Sequence, residues 1–102
     1  MKIYYVDIDG TICNNTDGMY SKAQPIKENI NTVNALYDNG NTIIYWTARG
    51  AVTGINWLEF TKQQLDSWGA KYHDLRVGKP HYDYFICDKA INSDLFFEKQ
   101  NG

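Results

Sequence analysis

Asp7 and Asp9 stand two residues apart, directly after the β-branched and aromatic run Ile3-Tyr4-Tyr5-Val6. In an extended segment, side chains two apart point the same way, so both carboxylates would face one side. Two such acids repel each other and resist burial unless a cation or a hydrogen-bond donor meets them. Clustered carboxylate oxygens suit Mg2+. Beside a bound phosphoryl group, one carboxylate can attack phosphorus while a second moves protons to the leaving oxygen and from water.

Partners for this pair stand near the other apolar runs. "TIIYW" is followed by Thr47 and Arg49, Lys79 lies in a Gly-Lys-Pro loop, and "YFIC" is followed by Asp88. Ligands of open α/β sheets bind beyond the carboxyl ends of the strands, so parallel strands would gather these residues on one rim. Singly, each has an ordinary reading: Asp9-Gly10 as a turn, Thr47 as a strand-end or capping residue, Lys79 as a solvated loop lysine, Asp88 as a helix cap. Jointly they suit phosphoryl transfer, with Asp7, Asp9 and Asp88 supplying oxygen donors for Mg2+. The Thr47 hydroxyl and Lys79 ammonium would hold non-bridging phosphate oxygens.

Hydrophobic periodicity supplies the elements that must position them. Strands are expected at Lys2 to Val6, in "NTIIYWT", more weakly near Ala70 to Val77, and in "YDYFIC" ending at Asp88. A helix is expected from Pro25, with Ile26, Ile30, Val33, Leu36 and Tyr37 at helical spacing and Asn39-Gly40 as its stop. A second would carry Ile55, Leu58, Leu65 and Trp68 on one face, start at a Thr53 cap and end at Gly69. "NSDLFFEKQ" reads as a closing helix capped by Ser93, and Asp17-Gly18 as the turn of a two-stranded flap around residues 11–24. Alternation of strands and helices implies right-handed βαβ units, a small parallel sheet and a three-layer, Rossmann-like α/β sandwich.

The 102 residues support one domain, and 43% hydrophobic content with 15% aromatics is ample for a packed core. A net charge of −2 without blocks of like charge does not resemble the footprint of a general nucleic-acid binder. No apolar run reaches the roughly 18 to 20 residues of a membrane span, and the first acid comes too early for a signal peptide. A cytoplasmic location is therefore expected. Cys13 and Cys87 are read as reduced thiols, since two cysteines build neither a disulfide scaffold nor a structural zinc site.

The ordered set "DIDGTI", the Thr of "IIYWTARG", the Lys of "GKP" and the Asp of "FICDKAIN" resembles the motifs of haloacid dehalogenase (HAD) superfamily phosphatases, and covers nearly the whole chain. The resemblance implies a single HAD-like catalytic domain over residues 1–102 and Mg2+-dependent hydrolysis of a phosphomonoester through an aspartyl phosphate. It makes Asp7 the nucleophile and Asp9 the general acid and base. Asp7, Asp88 and the Asp9 main-chain carbonyl would face Mg2+, Thr47 and Lys79 would hold the phosphoryl oxygens, and Thr11 would steady the loop. The chain departs from the family pattern at its last motif, where Cys87 precedes Asp88 and a second acid would have to come from Asp94 or Asp83. Neither connecting loop is long enough for a cap domain, so the chain resembles the capless group, in which a neighbouring protomer often supplies closure. A small phosphorylated metabolite such as a sugar phosphate is the expected substrate. Arg49, and beyond it His81, Tyr20 and Lys22, are candidates for touching it.

Three rival readings share these residues. A receiver-like phosphoacceptor also uses carboxylates, Thr, Lys and Mg2+, but places its phosphorylated Asp on a later strand than its acid pair. A phosphatase of nucleic-acid ends would suit an open site, though not the acidic balance. An inactive binding protein would have little need for Asp7, Asp9, Thr47, Lys79 and Asp88 together.

Overall fold

The structure is a computed structural model that describes residues 1–101. Strand β1 (Ile3–Val6), helix α1 (Lys27–Asp38), strand β2 (Thr42–Trp46), helix α2 (Leu58–Ser67), strand β3 (Asp74–Arg76) and helix α3 (Ser93–Asn101) follow in that order, with a short 3-10 turn at Tyr20–Lys22. The strands form one parallel sheet in the order β1-β2-β3. Ile3 pairs with Thr42 and Val6 with Tyr45 across the first ladder, and Ile44 with Asp74 across the second. The architecture is a three-layer α/β sandwich with a small parallel sheet flanked by helices and no cap domain. No described helix is long and apolar enough to cross a membrane.

The core grows from one face of the sheet. Ile43 and Tyr45 of β2 are fully buried, with Tyr4 and Val6 of β1 beside them, and they meet Ile30 and Val33 of α1, Leu65 of α2 and Phe97 of α3. On the other face of β1, Ile3 and Tyr5 stay more than half exposed. Both crossover helices end as their sequences predict. Asn41 N–H donates to the Leu36 carbonyl and Gly40 N–H to that of Tyr37, while Ala70 and Gly69 make the same pair of bonds to Leu65 and Asp66. These are Schellman closures, in which a left-handed glycine lets the last turn satisfy its own carbonyls.

Several boundaries differ from the sequence reading. Helix α2 starts at Leu58, where the Asn56 side chain accepts the Leu58 N–H at 3.0 Å; the Thr53 hydroxyl instead accepts from Ile55 within a turn. Gly50 enforces that turn, because a side chain there would strike the Ile55 carbonyl. The cap of α3 is Asn92, whose side chain accepts from Asp94 at 3.0 Å, and not Ser93. The flap is a loop closed at its base by a Cys13-Pro25 bridge and an Ile26 N–H to Ile12 carbonyl bond of 2.8 Å, rather than a regular two-stranded hairpin.

"YDYFIC" is not a strand: Tyr84 is 89% exposed and Ile86 97%. A parallel strand requires a crossover of a dozen or more residues, usually a helix. The few residues between Arg76 and Tyr82 cannot carry the chain from β3 across β2 to the free edge of β1.

Leu65→Ala should cost about 2–5 kcal/mol in urea denaturation because it empties a fully buried position. Ile86→Ala should stay within about 0.5 kcal/mol, as surface substitutions do. Equal losses would mean that residues 82–88 are packed in solution.

Candidate active site

The carboxyl ends of β1 and β2 open into a cavity of about 780 Å3, whose lining includes Asp7, Asp9, Thr47, Arg49 and Lys79. Each arrives by a different local device. Asp7 follows β1 directly, and Ile8, fully buried, anchors the turn by accepting the Thr11 and Ile12 amides at 3.0 Å. Thr47 follows β2, its amide held by the Arg76 carbonyl at 3.0 Å. Lys79 is brought across from beyond β3 by its own amide, which donates to the Thr47 carbonyl at 3.2 Å.

The two aspartates have different surroundings. Asp9 is gripped by the Arg49 guanidinium through a two-pronged pair: Nε donates to Oδ2 and Nη2 to Oδ1, both at 2.9 Å. Arg49 has no exposed side-chain surface, and its remaining Nη1 donates to Thr61 at 3.2 Å and Gln64 at 2.8 Å on α2. Its face stacks on the Tyr20 ring, 4.4 Å from the centroid, and Gln64 in turn donates to the Tyr20 carbonyl at 2.8 Å. Such a pair can offset the desolvation of a guanidinium because four of its five N–H donors have partners.

Asp7 has far less support. Its carboxylate, 39% exposed, faces the Lys79 ammonium at 3.5 Å. Burial raises its pKa above the ordinary carboxylate value; Lys79 and a backbone hydrogen bond at Ile8 pull the other way, and the Asp9 charge adds to the rise. The Lys79 ammonium lies 5.9 Å from the Trp46 ring centre and 5.6 Å from that of Tyr82. The Thr47 hydroxyl accepts the Arg49 amide at 3.1 Å, so its own hydrogen remains available to a ligand.

Asp88 lies exposed and is not among the cavity-lining residues. Neither are Asp83, Asp94 and Lys22, whereas His81 and Tyr20 are. Among the described residues no group of three or more His, Cys, Asp or Glu side chains gathers at the reach of a metal ion. The structure adds site residues that sequence reasoning passed over: Cys13 beneath Asp9, and Thr61 and Gln64 behind Arg49. Thr61 did leave a trace, as a polar residue at helical spacing from Leu65 and Trp68, on the face the sequence reading assigned to the core.

No family model and no curated protein matches the chain. Among solved structures, it is similar to a structural-genomics target from Vibrio cholerae, with TM-score 0.85 and 28% identity over 95% of this chain and 88% of that one. It also resembles the D,D-heptose 1,7-bisphosphate phosphatase of B. bronchiseptica, solved with magnesium and phosphate, with TM-score 0.57 and 16% identity. That alignment covers 88% of this chain and 54% of the phosphatase, so this chain spans about half its length. The chain thus shares the fold of that phosphatase in minimal form, without a cap domain.

Arg49→Met should destabilise the protein by about 3–5 kcal/mol, because it leaves the Asp9 carboxylate without its counter-charge. Chemical denaturation checks this, and a loss below about 1 kcal/mol would mean that solvent already screens the pair. The cysteines should separate equally clearly. Burial, with the Asp9 charge added, pushes the Cys13 thiol up to about 12, whereas Cys87 is exposed. An aromatic disulfide reagent at pH 8 should therefore titrate one thiol in the native protein and both after unfolding.

Proposed function

We propose that this protein hydrolyses phosphomonoesters through an aspartyl phosphate on Asp7, with Mg2+ as cofactor and a small phosphorylated metabolite of the sugar-phosphate kind as substrate. The observation that carries this reading is the incomplete compensation of Asp7: a carboxylate at the floor of a cavity, its pKa raised by burial, with a single ammonium 3.5 Å away. The ordered motifs and the HAD-like core support the same reading.

The donor set suits Mg2+, which is commonly held by one or two carboxylates together with substrate phosphate and water. Asp7 and the Asp9 main-chain carbonyl would hold it, and its chemistry there would be to neutralise charge on the transferring group. Asp88, exposed and outside the cavity lining, is left out of this set, and an unchanged Mg2+ affinity in Asp88→Asn is the test.

Asp7 Oδ attacks phosphorus as the bond to the leaving oxygen breaks, and Asp9 delivers the proton that oxygen needs. Water then attacks the acyl phosphate, Asp9 takes its proton, and the bond between Asp7 and phosphorus breaks to release phosphate. Lys79 and the Thr47 hydroxyl hold non-bridging oxygens through both steps. Arg49, with no exposed side-chain surface and hydrogen bonds to Asp9, Thr61 and Gln64, holds Asp9 in place. Oδ1 of Asp9 faces both Arg49 and Cys13, whereas Oδ2 accepts from Arg49 alone and keeps a lone pair for proton transfer.

Phosphate release from a panel of phosphometabolites should require Mg2+, stop with EDTA and be abolished in Asp7→Asn; activity surviving both treatments would overturn the mechanism. Asp9→Asn should lose about 10^2- to 10^4-fold in kcat, the range of general acid-base catalysis. A stable phosphoenzyme that never turns over would instead indicate the receiver-like reading. Because the Asp7 pKa is raised, kcat/KM in metal-limited buffer should fall as pH drops through a value above the ordinary carboxylate figure of about 3.9. An acid limb at or below that figure would contradict the burial of Asp7.

A further inference from the structure

The cavity is larger than a phosphoryl group needs, and its walls have a composition that the chemistry at its floor does not explain. At about 780 Å3 it can enclose a whole small metabolite. The flap contributes Asp17 and Tyr20, the loop after β2 contributes Val52, Ile55 and Trp57, and the segment after Lys79 contributes Tyr82. Val52 and Ile55 are 77% and 55% exposed, and the Tyr20 ring stands edge-on to Trp57 at 4.9 Å. Apolar side chains left open to a cavity favour a ligand with an apolar or ring face.

The charges point the same way. Among the described lining residues, Asp7, Asp9 and Asp17 are opposed by Arg49 and Lys79, and His81 also lies on the wall. Arg49 lines the cavity with no exposed side-chain surface, and its Nε and Nη2 are on Asp9 and its Nη1 on Thr61 and Gln64, so its charge is already paired within the protein. Lys79 faces Asp7 at the floor, where the transferring phosphoryl group would take it. The walls therefore keep no lysine or arginine for a second anion, while Asp17 would repel one.

We infer that the site selects phosphomonoesters whose leaving group is uncharged and carries an apolar or ring face, with Asp17 at the flap tip excluding leaving groups that bear a second phosphate or a carboxylate. The inference rests on the phosphatase reading and narrows its substrate class. Asp17 holds a left-handed backbone, φ 52°, which Asn also tolerates, so Asp17→Asn removes the charge and keeps the turn.

Calorimetric binding to the Asp7→Asn protein with Mg2+ at pH 8 tests this without turnover. Phenyl phosphate and glucose 6-phosphate should bind at least about tenfold more tightly than fructose 1,6-bisphosphate or 3-phosphoglycerate, as expected for an uncompensated like charge. Adding Asp17→Asn should shrink that ratio by about threefold or more, and an unchanged ratio would overturn the role of Asp17. Equal or tighter binding of the bisphosphate, with inorganic phosphate also bound, would overturn the selectivity and leave the phosphatase reading intact. Failure to bind any of the esters or inorganic phosphate would overturn both.

Discussion

The buried pair between Arg49 and Asp9 is the interaction on which the site depends. A guanidinium taken wholly out of water is costly unless each of its donors is met and its face is covered. Here two prongs go to one carboxylate, a third donor meets Thr61 and Gln64, and the Tyr20 ring covers the face. These contacts join the loop after β1, the flap, the loop after β2 and the buried side of α2. Four segments far apart in the chain are thereby fixed around one side chain, and the cavity lies among them.

The contrast with Asp7 follows from the same physics. Two carboxylates that leave one strand two residues apart would be nearly equivalent in an isolated peptide. In the folded chain one receives a fully committed guanidinium and the other a single ammonium at 3.5 Å, on a partly open surface. Electrostatic compensation at Asp9 makes it rigid and oriented. Its shortage at Asp7 leaves that carboxylate the less compensated of the two, and differences of environment are what allow carboxylates to take different chemical roles.

The minimal sheet sets the limits of this arrangement. With three parallel strands and only a short segment after β3, no helix-length crossover carries the chain back to the open edge of β1. The apolar residues of "YDYFIC" then lie exposed, although their composition reads as a strand. Strand propensity describes a side chain's fit to a half-buried pleated surface and supplies no partner strand by itself.

Local signals made much of the fold legible in the sequence. The β-branched and aromatic runs marked β1 and β2, the stripe of Ile30, Val33, Leu36 and Tyr37 marked α1, and Gly40 and Gly69 marked the helix ends, because backbone preference and periodicity act over a few residues. The order of Asp7, Asp9, Thr47 and Lys79 was equally legible, since parallel strands must deliver their carboxyl ends to one rim. Tertiary structure alone decided that Arg49 turns inward to Asp9, that Thr61 and Gln64 hold it there, and that Asp88 stays at the surface. The first two depend on pairing a buried charge across tens of residues of chain, and the last on whether the segment after β3 can reach a neighbouring strand. Neither is a property of any short stretch of sequence.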